Sequence, residues 1–228
     1  MAGFRQYFNR QMTLRDTAVV IALVLMFAGL CYGVWSFVAA KLLEAHVRVA
    51  ATQLSGGIRK ERDEIVSAID AYKTHFGFYP PDTVINRNLV QVDAISNRLA
   101  YELIGFVYNP TNRLYQAGRL EPAEAKFVNE FFHCDGFKNS SQREDQVKHF
   151  LPADNKYLSQ LHDDPDVFAL GFQMMYEGIT QELANEIEIS SWRYVCSAPT
   201  NNPGKYDLWL DLRAGRQNIT IGNWKAAE

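Results

Sequence analysis

The sequence predicts an α+β fold in which a long N-terminal helix, membrane-spanning in its first half, packs on a C-terminal antiparallel sheet. Three observations predict it: an uncharged apolar run from Thr17 to Ala40, one apolar stripe at helical spacing from Val47 to Phe76, and short alternating strands between Trp192 and Trp224.

The run of about 24 residues rises about 36 Å as a helix, enough to cross a hydrocarbon core of about 30 Å with some tilt. A cleaved secretory signal has a shorter apolar core of roughly 7 to 15 residues, so the run reads as an anchor in the bilayer. Tyr32 and Trp35 near one end, and Arg5, Arg10 and Arg15 before the other, suit the two interfaces. Three arginines precede the run and only Lys41 and Arg48 follow closely, which places the N-terminus in the cytoplasm and the rest outside. The expected organisation is a basic leader over 1–16, a membrane helix over 17–40 and an exported domain over 41–228.

Beyond Lys41, the residues Val47, Leu54, Ile58, Ile65, Ile69, Tyr72 and Phe76 follow at gaps of 7, 4, 7, 4, 3 and 4, one stripe on a helix. The helix therefore continues out of the membrane; unbroken from Thr17 to Phe76 it is about 90 Å long. Ser55-Gly56-Gly57 is the expected kink. Arg59 to Glu64 form a mixed-charge run expected to face solvent. Gly77, followed by Pro80-Pro81, ends the helix, a left-handed cap and then residues that cannot continue it.

At the other end, Trp192 to Ser197, Tyr206 to Leu212 and Ile219 to Trp224 are aromatic and β-branched. Tyr206, Leu208, Leu210 and Leu212 alternate with Asp207, Trp209 and Asp211, which puts one set inward and the other outward. The segments 198–204 and 214–218 supply turns. Between the two ends, Val92, Ile95, Leu99 and Leu103 suggest a short helix, and Pro122 suggests the first turn of another before Phe127, Val128 and Phe131. Asp166 to Met175 reads as a strand, Thr180 to Ile189 as a helix, and His162-Asp163-Asp164-Pro165-Asp166 as a turn or a weak cation site.

Composition narrows the function. The chain is 47% hydrophobic and 13% aromatic, which argues against disorder, and its net charge of −3 comes without a basic stripe for nucleic acid. It has no G-x-S-x-G, H-E-x-x-H, C-x-x-C or phosphate-binding glycine loop, and its five histidines lack metal-ligand spacing. Neither an enzyme, a cofactor nor a small-molecule substrate is indicated. Cys31 lies in the membrane run, whereas Cys134 and Cys196 lie in the exported part. The latter two form either a disulfide, closing a loop of about 60 residues, or two packed free thiols.

Ala68-Ile69-Asp70-Ala71-Tyr72-Lys73, followed by Gly77-Phe78-Tyr79-Pro80, resembles the signature of type II secretion major pseudopilins, members of the type IV pilin-like family. Trp192-Arg193-Tyr194-Val195, Tyr206-Asp207-Leu208-Trp209 and Ile221-Gly222-Asn223-Trp224 agree with it in order and spacing. Met12, Thr13 and Leu14 match the N-terminal signal of that family in register, and Asp16 replaces its glutamate. Gln11 stands where the leader normally ends in glycine, and Arg15 where an apolar residue is usual, so removal of the leader is an open point. Residues 83–191 exceed the family's equivalent and read as an insertion.

The resemblance implies a pilin-like, single-pass inner-membrane subunit. Its partners would be the bilayer and copies of itself or other pilin-like chains, in a filament with apolar helices inside and globular domains outside. It also implies that Asp16 neutralises the freed amine of a neighbouring subunit. The family's calcium loop before the last strand corresponds here to Arg213–Asn218, which contains no acid, so no cation is expected there; Asp207 and Asp211 read as the solvent face of a strand. A second reading stays open: an anchored binding module that uses the insertion to hold a partner without polymerising.

Overall fold

The computed structural model describes residues 14–86, 91–118, 120–153, 155–161, 164–172 and 181–224. The fold is α+β. Helix α1, Leu14–Phe76, is 63 residues long and contributes to two units, Met1–His46 and Val47–Glu228.

In the first unit α1 is the one element among the described residues, and its apolar side chains, Leu25, Phe27 and Trp35 among them, are exposed in the single chain. It is the one helix among the described residues long and apolar enough to cross a membrane. Gln11, Met12 and Thr13 lie outside the described residues; Asp16 is helical, but its side chain is not described.

In the second unit the expected stripe is the buried one: Ile58, Ile65, Ile69 and Tyr72 are inaccessible to solvent. Each such side chain contributes about 1.5 to 3 kcal/mol of burial. The helix runs unbroken through Ser55-Gly56-Gly57, the expected kink position. Ser55 bonds back to Ala51 O at 2.7 Å within the helix. The missing side chain of Gly57 makes room for the Phe172 ring, which would stand 3.3 Å from a β-carbon there. Gly77 ends the helix as expected, with φ of 84° and its N–H returning to Lys73 O at 2.8 Å.

The C-terminal sheet is antiparallel, as the alternation predicts. Its centre is β11, Asp207–Ala214, with β12, Gln217–Gly222, on one side. Along the other side lie β10, Arg193–Val195, opposite Asp207–Trp209, and β9, Ile187–Ile189, opposite Leu212–Ala214. Tyr206, Leu208, Leu210 and Leu212 are buried, as the pattern demands. The helix expected over Thr180 to Ile189 is confined to α4, Gln181–Asn185, because Ile187 to Ile189 instead pair with β11.

Residues 83–191 carry a substantial part of the core. They contain the hairpin of β1, Thr83–Asn86, with β2, Gln91–Asp93, and the helices α2, Leu99–Ile104, and α3, Ala125–Phe131. A second sheet runs β5-β4-β3-β6, from β3, Phe106–Asn109, β4, Leu114–Gln116, β5, Ala123–Glu124, and β6, Ser140–Ser141. This sheet is mixed, since β6 runs parallel to β3. A final pair joins β7, Leu158–Leu161, to β8, Asp164–Leu170.

Three expectations change here. Val92 is in a strand and Ile95 is exposed, so the helix begins only at Leu99, where Leu99, Tyr101, Leu103 and Ile104 bury completely. Pro122 precedes a two-residue strand, and α3 starts at Ala125. The strand expected over Asp166 to Met175 begins at Asp164 and ends at Leu170, so Asp164 to Asp166, expected in a turn, are strand paired with β7, and His162, Asp163, Met174 and Met175 lie outside the described residues.

Candidate functional site

The joint between the end of α1 and the C-terminal sheet gathers most of the residues singled out in the sequence. Lys73 places its ammonium 4.0 Å above the Tyr79 ring, and Tyr79 meets Tyr206 edge-on at 5.0 Å. Tyr194 donates its hydroxyl to Pro80 O at 2.8 Å. Asp82, next along, is buried and accepts from Cys196 N, Ser197 N and Ser197 Oγ, each at 2.8 Å. The helix terminator is thus bonded to the end of β10, more than a hundred residues away. Charge-assisted bonds to backbone N–H groups are the stronger kind, so the Asp82 carboxylate makes the main contribution to a crossing that the Tyr194 hydroxyl also holds.

A second carboxylate shapes the turn before β11. Asp207 was expected on the solvent face and is instead buried. Its Oδ2 accepts from Thr200 N at 2.7 Å and Asn201 N at 2.8 Å, and its Oδ1 from Asn202 N at 2.8 Å. The physical reason for the correction is local: the loop folds back over its own strand, so three backbone donors remove the carboxylate from water. Asp211, the other member of that expected face, is partly exposed and pairs with Arg193 at 2.6 Å. Asn223 closes the same turn, accepting from Leu208 N and Asn202 Nδ2, both at 3.0 Å, and donating to Tyr206 O at 3.1 Å. Gly222 admits the Trp224 ring, which would lie 2.7 Å from an added β-carbon, and Trp224 meets Trp209 at 5.9 Å.

Two buried acids on or against α1 escaped the sequence reading. Glu61, expected in the solvated run, is 6% exposed and accepts from Trp192 Nε1 at 2.8 Å. Burial pushes its carboxyl up to about 7, opposed by the Trp192 bond and the charge of Lys156 and reinforced by Glu64. Glu64 accepts from Tyr157 at 2.7 Å and Lys156 at 3.3 Å. Glu102 on α2 is fully buried and accepts from Tyr72 at 2.9 Å and from Lys138 N and Asn139 N at 3.1 Å. Burial raises its carboxyl too, against those bonds. No periodicity flags either acid, because a charged residue on a helix is by default solvated and only the partners that cover it reveal otherwise.

Cys134 and Cys196 are not paired; both are free, which corrects one of the two open alternatives. Cys134 follows α3 and turns its thiol to Asn129 Oδ1 at 3.9 Å, while the Cys196 thiol faces Pro80 O at 3.2 Å beside β10. Burial pushes the Cys196 thiol up to about 11, leaving it protonated and unreactive. Thiol titration of denatured, unreduced protein is expected to return all three cysteines, and a loss of two equivalents would reinstate the disulfide.

An open cleft of about 780 Å³, lined by none of the joint's residues, lies between the β3–β4 hairpin and residues 135–142 and holds Arg113, Lys126 and Lys138. Among the described residues no group of three His, Cys, Asp or Glu is placed to hold a metal ion. Compared with protein-family models, curated proteins and solved structures, the chain matches none.

Proposed function

We propose that the chain is a pseudopilin-like structural subunit of a type II secretion or type IV pilus-like filament. It is held in the bacterial inner membrane by the first part of α1, with the N-terminus cytoplasmic and the unit Val47–Glu228 periplasmic. The observation that carries this reading is the joint. Blocks around Tyr72 to Pro81, Tyr194 and Tyr206, which resemble the family in sequence, bond to one another in three dimensions rather than serving separate purposes. Exposed Leu25, Phe27 and Trp35 add support, since that surface requires lipid or neighbouring apolar helices.

Gln11 favours the second reading, an anchored periplasmic module with a pilin-like domain that does not polymerise, because it replaces the glycine at which the leader is removed. Retention of the leader leaves Arg5 and Arg10 on the helix, and drawing each arginine through hydrocarbon costs about 2.5 to 3.5 kcal/mol on insertion scales. A retained leader therefore anchors the chain, and Asp16 then has no neighbouring amine to neutralise. N-terminal sequencing of protein extracted from membranes is expected to begin at Met12, with crosslinks between first helices of neighbouring subunits. An intact leader without such crosslinks would overturn the filament role in favour of the anchored module.

A further inference from the structure

We propose that the cleft between the β3–β4 hairpin and residues 135–142 binds an acidic saccharide, a sugar ring bearing a carboxylate. Three cations line it, Arg113, Lys126 and Lys138, against one acid, Asp135. The Arg113 and Lys138 side chains make no hydrogen bond or ion pair among the described residues, and Lys126 reaches only Glu130, at 3.9 Å on an exposed surface. Excess positive charge in a concave site attracts an anion, and a guanidinium fork fits a carboxylate in two-point fashion. The volume of about 780 Å³ lies within the ordinary range of ligand sites.

The rest of the lining defines the ligand further. Half-buried Tyr108 supplies aromatic surface, the side-chain amides of Asn129 and Gln142 supply donors, and the Ser140 and Ser141 hydroxyls, which donate to Phe137 O and Gln146 Oε1, offer acceptor oxygens. Such a mixture suits a ligand with hydroxyls around a ring rather than an apolar molecule. The cations are fixed at their backbones: Arg113 O accepts from Ala125 N at 2.9 Å, and Lys138 N donates to buried Glu102.

The backbone provides an independent observation. Arg113, with φ of 58°, and His133, with φ of 50°, are the two non-glycine residues at positive φ among the described residues. Arg113 lines this cleft, and His133 lines an adjoining cavity that shares Lys126, Asn129 and Asp135 with it. Arg113 is the last loop residue of a hairpin, a left-handed position that glycine or asparagine occupies at lower cost. Arginine is less favourable than glycine for the backbone there, and what it adds is a guanidinium on the cleft wall.

Digalacturonate titrated into the full chain in detergent, followed by calorimetry, is expected to bind saturably and more weakly as salt rises. The variant Arg113→Gly relieves the left-handed backbone and so retains the fold, yet should weaken binding by about tenfold or more, as should Lys138→Ala, with thermal unfolding not lowered in the first. Any of four results would overturn the proposal: no saturation up to about 10 mM digalacturonate, equal binding of maltose, equal or tighter binding of a pentaglutamate peptide, or full affinity in Arg113→Gly. None of these outcomes bears on the filament reading, which is tested at residues 11–16.

Discussion

Replacing Asp207 with alanine is expected to destabilise the unit Val47–Glu228 by about 3 kcal/mol, because it removes the one buried carboxylate on which the donors of a half-buried loop converge. The carboxylate accepts from the backbone N–H groups of Thr200, Asn201 and Asn202 and from the side-chain amides of Asn201 and Asn202, both at 3.2 Å. Alanine leaves three backbone donors without an acceptor. Asparagine in the same place is expected to lose less, since one oxygen still accepts while its amide group opposes the remaining donors. Urea unfolding of the full chain in detergent measures the loss. Limited proteolysis should show new cleavage within 198–205 in the alanine variant first. An alanine variant within about 1 kcal/mol of the parent would show that water replaces the carboxylate at little cost, and the proposed role of Asp207 would fail.

Glu61→Gln is expected to have its largest effect in alkaline solution. The folded chain holds the Glu61 carboxyl near 7, above its ordinary value of 4.5, so between those two pH values the folded state keeps a proton that the unfolded chain releases. The contribution of this group is therefore complete below about pH 4.5, declines as pH rises, and is lost above about 7. The shift corresponds to about 3 to 4 kcal/mol, at about 1.4 kcal/mol per pH unit. Glutamine keeps an oxygen to accept the Trp192 N–H and carries no charge, so the variant should match the parent near pH 5 and exceed its stability near pH 8. Lys156, which opposes the shift, and Glu64, which reinforces it, remain unchanged in both proteins. Parallel unfolding curves, with the same difference between the two proteins at pH 5 and pH 8, would show that Glu61 does not titrate in this window.

Local patterns made the two ends of the chain legible. The apolar run, the stripe through Ile58, Ile65, Ile69 and Tyr72, the Gly77 cap and the alternation around Leu208, Leu210 and Leu212 each depend on neighbours within a few residues, and periodicity records such neighbours directly. The middle was harder. Val92 and Ile95 share a spacing with Leu99 and Leu103, but the first pairs in a hairpin and the second faces solvent, because pairing with Val84 outweighs a helical spacing of four residues. Ile187 to Ile189 likewise joined β11 rather than extending α4.

The candidate sites show the same division more sharply. The blocks at Tyr72 to Pro81 and Ile221 to Trp224 announced themselves as motifs, although nothing in them says that Asp82 and Asp207 are buried acceptors. Glu61 looks like its solvated neighbours Lys60 and Asp63, and only the Trp192 indole, 131 residues away, makes it a buried acid. Arg113 and Lys138 sit 25 residues apart without any motif, and the mixed sheet sets both on one cleft.

By itself, then, the sequence determined a long helix with an apolar first half, its stopping point at Gly77 and an antiparallel C-terminal sheet, since these follow from side-chain period and backbone chemistry over short stretches. Tertiary structure alone decided which carboxylates lose their water, that Cys134 and Cys196 stay apart, and that Arg113, Lys126 and Lys138 line one cleft. The physical reason is that desolvation and hydrogen-bond partnership belong to the surroundings of a residue, and here those surroundings arrive from distant parts of the chain.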